Sequence, residues 1–146
     1  MKRVFPYRLL IGLVTAVLLL SIPLAAQNKR DRERAKALAA QADRAYKEKN
    51  YRDAADKYAQ VIAILPNNPL AHYSKGFAHL DLREYDTALG EFSLAMNKGF
   101  KPIVEIHKVK AFAYNEQKNY AAAAAELEKA VAITPRDLGL LKDLAG

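Results

Sequence analysis

Three histidines carry most of this chain's capacity for chemistry near neutral pH. His72 and His79 are seven residues apart and so share one face of a helix, and His107 stands 35 residues beyond His72. Imidazoles grouped in this way could ligate a metal ion or move a proton. No carboxylate stands at ligand spacing from any of them, however, and all three fall where one helix would pack on another. Packing is therefore the expected role. Ser21, Ser74 and Ser93 have no nucleophile motif around them. The chain has no cysteine, which excludes disulfides, thiolate metal sites, cysteine nucleophiles and the acylated cysteine of a bacterial lipoprotein. The glycines are isolated, so no phosphate-cradling loop is present. The expectation is a chain with no catalytic residue, no metal and no cofactor.

The elements that position these residues are repeated. The stretch Tyr51–Pro66 returns as Tyr85–Phe100 and again as Tyr120–Pro135, and the leading tyrosines are 34 and then 35 residues apart. A fixed period of this size marks a stacked repeat architecture. Each copy has alanine three residues after the tyrosine (Ala54, Ala88, Ala123) and a large side chain seven after it (Tyr58, Phe92, Leu127). A smaller one follows ten after (Val61, Ala95, Ala130). Steps of three and four place all of these on one helix face. Pro66 and Pro135 end two copies, because proline lacks the amide that a continuing helix needs. No alternating apolar run is long enough for a strand, so the predicted class is all-α.

The 146 residues suffice for one domain with a real core. The formal charge is +7, but residues 1–26 contribute Lys2, Arg3 and Arg8 with no acid. Without them the balance is 20 basic against 16 acidic residues, an ordinary protein surface and not a nucleic-acid footprint. Residues 1–26 read as an export signal: a basic start, the apolar run Leu9–Ile22, Pro23, and cleavage after Ala26. The alternative is an uncleaved anchor, since Leu9–Ala26 is only just long enough to span a bilayer as a helix. Lys29, Arg30, Arg32, Arg34 and Lys36 follow, offset by Asp31 and Glu33. Such a cluster resists export, and reads either as a solvated linker or first helical turn (27–34) or as a contact for anionic lipid.

Three helix pairs then follow in a domain over 35–146, as units 35–68, 69–103 and 104–137. The predicted helices run near Asp31–Lys49 and Tyr51–Leu65, Leu70–Leu82 and Tyr85–Lys98, and Ile103–Gln117 and Tyr120–Ile133. Asn50 is placed as an N-cap. A short closing helix is expected over 138–146, where Leu138, Leu141 and Leu144 keep helical spacing. A closing helix cut short there would leave the last unit's apolar face partly bare, which reads either as an interface, for docking or self-association, or as marginal stability.

These units resemble the tetratricopeptide repeat. The likeness lies in small residues nine before the tyrosine (Ala42, Gly76, Ala111), alanine three after it and proline fifteen after it, with Asn67-Asn68-Pro69 as a usual joint. It covers roughly residues 35–137. The family's large residue thirteen before the tyrosine is here Leu38, His72 and His107. Its leucine ten before is Gln41, Lys75 and Lys110, and its tyrosine six before is Ala45, His79 and Tyr114. The second unit ends in Phe100 and not in proline. The resemblance implies a right-handed α-solenoid of three helix-turn-helix units, whose first helices line a concave groove for a peptide or partner helix.

Carried over by position, the partner-binding groove comprises Tyr46 and Lys47 from the first unit, Tyr73, Phe77 and Asp81 from the second, and Lys108, Phe112 and Asn115 from the third. Leu70, Tyr73, Phe77 and Leu80 make an apolar stripe beside Phe112. For Tyr73 and Phe77, lining the groove and packing the core stand as equal alternatives. Family members that grip a C-terminal carboxylate use Lys, Arg and Asn here, and two of the Asn places hold Asp43 and Ser74. Asp43 would repel a carboxylate, so a partner with an apolar patch and mixed charge is expected. The functional expectation is an exported, periplasmic or secreted adaptor without enzymatic activity. The alternative is a membrane-anchored subunit of an envelope complex, or one that self-associates.

Overall fold

The computed structural model describes residues 24–137 together with Gly139, Lys142 and Asp143. Positions 1–23 of the expected signal lie outside the described residues, as does most of the closing helix, of which Gly139, Lys142 and Asp143 are helical. Six helices form the described chain: α1 (Leu24–Lys47), α2 (Tyr51–Ile64), α3 (Pro69–Asp81), α4 (Tyr85–Asn97), α5 (Ile103–Glu116) and α6 (Tyr120–Ile133). They pair as α1/α2, α3/α4 and α5/α6, and each pair packs on the next in chain order. This is the all-α solenoid that the repeated pattern predicts. The first helix differs from its expected start near Asp31, being already helical at Leu24 and continuous through 27–34.

The small residues explain how closely the helices approach. Ala42, Ala54 and Ala88 are fully buried, and Gly76, Ala111 and Ala123 are buried as well. At Gly76 the approach needs the missing side chain: a Cβ there would lie 2.6 Å from the Phe92 ring. Phe92 is the largest fully buried side chain, and Tyr73, Phe77 and Phe100 surround it. Phe77 meets Phe92 edge-on with centroids 5.4 Å apart, and Tyr73 stacks on Phe100 at 4.0 Å. Such pairs add to area burial. The position where the repeat would carry proline thus holds a ring that closes the aromatic cluster.

Four helices end in the same way. Lys49, Arg83, Gly99 and Lys118 have positive φ of 61°, 60°, 91° and 61°. The next residue's amide returns to the helix each time, with Asn50 N to Ala45 O at 2.8 Å, Glu84 to His79 at 2.9 Å, Phe100 to Ala95 at 3.0 Å and Asn119 to Tyr114 at 2.9 Å. This is the Schellman arrangement, which satisfies carbonyls left over at a helix end. Asn68 starts α3 by accepting from Leu70 N and Ala71 N, just ahead of Pro69 at the first helical position. Asn50 occupies the N-cap place of α2, but its side chain makes no capping bond, so its expected capping is backbone only.

Candidate functional site

Six of the eight expected groove residues line two cavities, and Lys47 and Asp81 line neither. The first, about 380 Å³, lies between α1 and α3 and is lined by Tyr46, Tyr58, Leu70, Tyr73, Ser74 and Phe77. Each wall has a local cause. Helical spacing puts Leu70, Tyr73 and Phe77 on one face of α3, and Tyr46 reaches across from the last turn of α1. Tyr58 stands on α2, where the large residue seven after the leading tyrosine belongs. In the other units that place holds Phe92 and Leu127, so only the first unit brings a hydroxyl there. Tyr73 and Phe77 are half-buried: they pack on the Phe92 cluster and also face the cavity. Leu80, the fourth residue of the stripe, is buried in that core.

The second cavity, about 820 Å³, lies at the last unit, where Lys108, Phe112 and Asn115 of α5 face Tyr120 and Leu127 of α6, with Lys142 and Asp143 at its edge. Phe112 is 54% exposed. Lys108 is ion-paired to Glu105 at 3.3 Å. Lys47 is exposed at the end of α1 and lines neither cavity.

Tyrosine hydroxyls bind carboxylates beside the first cavity. Tyr46 donates to Asp81, joining the first helices of units one and two, and Tyr58 donates to Asp43 at 2.6 Å. Burial, then the hydrogen bond to Asp81, raises the Tyr46 phenol; burial, then Asp43, does the same for Tyr58. Both phenols therefore stay protonated donors. Tyr73 is also raised, by burial and by the charge of Glu105. The partnership of Tyr58 with Asp43 was not foreseen, although the hydroxyl unique to that position was its signal.

The histidines do have carboxylate partners, which corrects the expectation drawn from sequence. His72 Nδ1 lies 2.8 Å from Glu91, and His107 Nδ1 lies 2.6 Å from Glu126. His79 Nδ1 lies 2.6 Å from Glu84. Lys75 and Lys110 join the first two carboxylates at 2.8 Å and 3.3 Å, and Lys129 reaches Glu126 at 3.0 Å. The first two partners were missed because each glutamate stands far beyond ligand spacing in sequence, on the other helix of the pair. The signal was present: His, Lys and Glu recur together 35 residues on. Burial alone would raise Glu91, but hydrogen bonds from Lys75 and His72 outweigh it and hold the group below the ordinary carboxylate range. Glu126 behaves likewise, with His107, Lys129 and Lys110 outweighing burial. Ionised carboxylates only accept, so the Nδ1 nitrogens donate.

A His–Glu pair of this kind orients the base of many enzymes, where the other ring nitrogen faces the substrate. His72 Nε2 is instead buried without a hydrogen-bond partner. Among the described residues no group of three or more His, Asp or Glu could hold a metal ion. The two clusters lie where the tetratricopeptide pattern has large apolar residues, and they join first helix to second in their place.

Known structures share this architecture. The N-terminal domain of stress-induced protein-1 from C. elegans superposes with a TM-score of 0.72 at 19% identity, covering 79% of this chain and 94% of that one. The second TPR domain of human RPAP3, solved in complex with an HSP70 peptide, superposes with a TM-score of 0.69 at 17% identity, covering 79% and 95%. This is the tetratricopeptide-repeat fold. In sequence, the chain is 26% identical over 92 residues to the Hsp70-Hsp90 organising protein of Plasmodium falciparum. That match covers 59% of this chain and 16% of the longer protein. No protein-family profile matches the chain. Within the tetratricopeptide fold, the first cavity lies between first helices and the second between the two helices of the last unit.

Proposed function

We propose that this chain is a non-enzymatic interaction module that holds a segment of a partner protein along α1, α3 and α5. One observation carries the reading: an aromatic-walled cavity of about 380 Å³ between first helices, with Leu70 left 60% exposed at its side. Large apolar groups open to solvent in a concavity are what binding hot spots use. The similarity to a repeat domain solved with an HSP70 peptide supports the same mode of use. The segment held here is of a different kind from one ending in a gripped carboxylate, because Asp43 and Ser74 occupy places where such members carry Asn.

Leu70→Asp combined with Phe112→Ala tests this reading. Both side chains are mostly exposed, so helicity and melting temperature should stay near wild type while partner capture is lost. Capture that persists in the folded variant would refute it.

We further propose that the chain acts outside the cytoplasm as an adaptor, on the strength of the basic, apolar and small-residue order of residues 1–26. No helix among the described residues is long and apolar enough to cross a membrane. An anchor would therefore be built from residues 9–26. Fractionation of the full chain beside a 9–26 deletion distinguishes soluble export from an anchored envelope subunit. The 820 Å³ cavity at the last unit favours a second use of that end, for docking or self-association, which sedimentation at rising concentration would reveal.

A further inference from the structure

We propose that the cavity between α1 and α3 takes a basic side chain, lysine or arginine, carried on a peptide segment beside an apolar residue. The proposal rests on the groove reading above and names the chemistry of its occupant. Tyr46, Tyr58, Tyr73 and Phe77 give the cavity aromatic walls, and Asp43 and Asp81 are exposed at its edge, tied to it through the hydroxyls of Tyr58 and Tyr46.

The charge of these two carboxylates is what selects the occupant. Asp53, Glu84, Glu91, Glu105 and Glu126 each have a cationic side chain within ion-pair distance. Asp43 and Asp81 have none among the described residues, and neutral phenols are their hydrogen-bond donors. Two negative charges without an ion-pair partner therefore stand at the hydroxyl ends of two of the aromatic walls, and both carboxylates and rings attract a cation. A lysine or arginine stem lays its methylenes along apolar walls while the charged head stays at the polar edge. Leu70, beside the same cavity, offers a contact for the neighbouring apolar residue. An acidic segment or a terminal carboxylate would meet like charge.

Random dodecapeptides displayed on phage and panned against the full chain supply the probe. The expected binders carry Lys or Arg next to a bulky apolar residue. A fluorescent copy of the tightest should bind Asp43→Asn/Asp81→Asn about tenfold more weakly, with unchanged helicity and melting temperature. Asparagine keeps an oxygen to accept each tyrosine's bond, so the substitution removes charge alone. Added salt should weaken binding to the wild-type chain, a readout that needs no variant. Binders without a basic residue, affinity indifferent to salt, or equal binding to the asparagine variant would overturn the assignment and leave the groove reading standing. Binders unaffected by Leu70→Asp as well, or no enrichment at all, would overturn both.

Discussion

Glu91 and Glu126 show what single residues do here that pattern alone could not reveal. Each is buried on a second helix and gathers a histidine and a lysine from the first. Removing one member strands the others. Glu91→Leu should therefore destabilise the fold by about 3 kcal/mol, because Lys75 and His72 lose their partner in a dry setting. Replacing His72, Lys75 and Glu91 together by leucine should recover most of that loss, read as urea midpoints. The pH dependence has a definite sign. Both carboxyls are held below the ordinary range, so over the intervening interval the unfolded chain binds protons that the folded chain does not. Their contribution is complete above the unfolded value of about 4.3 and is lost as pH falls through the folded values. Glu91→Gln/Glu126→Gln should flatten the fall in urea midpoint between about pH 7 and about pH 3. The sequence showed these residues only as departures from a repeat; their pairing across a helix hairpin needed the fold.

At the scale of the element, Gly76 and Gly90 make a matched test. Both sit inside helices, where alanine is better than glycine by roughly 0.5–1 kcal/mol. Gly90 has nothing within 4 Å of a built Cβ, so Gly90→Ala should stabilise by about that amount. At Gly76 the Cβ would meet a buried ring, and Gly76→Ala should destabilise by about 1–3 kcal/mol, a penalty that shrinks when Phe92 is already leucine. Thermal melts of the four chains decide it. The Schellman turns offer a second test. Lys49, Arg83 and Lys118 adopt a left-handed conformation that costs an L-residue about 1–2 kcal/mol, so changing any of them to glycine should be neutral or stabilising by up to about 1 kcal/mol. Helix existence and turn positions were legible from the tyrosine period, because three copies shared one register. The left-handed turn residues were not, since none of the three is glycine.

For the molecule as a whole, stability should be layered along the stack. α2 to α5 have packing partners both before and after them in chain order, whereas residues 28–34 of α1 are almost entirely exposed. Amide exchange should be slowest in α3 and α4 and fastest in 28–34; slow exchange in that first stretch would show that something covers it. The architecture was readable from the sequence because a repeat of this length, held in register three times, has few structural solutions. The groove was readable only by position. The packing of Tyr73 and Phe77 depends on Phe100 laying a ring onto Tyr73, which no local spacing encodes.

The His–Lys–Glu clusters have one more consequence, for how the chain avoids assembling itself wrongly. Units two and three carry them, while unit one has Leu38, Gln41 and Lys57 at the corresponding places. If α2 paired with α3 in the way α4 does, Lys57 would arrive against Lys75 and His72. If α4 took α2's place on α1, Glu91 would be buried against Leu38 with no cation to meet it. The first hairpin is thus given a charge pattern unlike that of the other two, so an exchange of its helices with theirs during folding is penalised at the first contact and not only after the stack has closed.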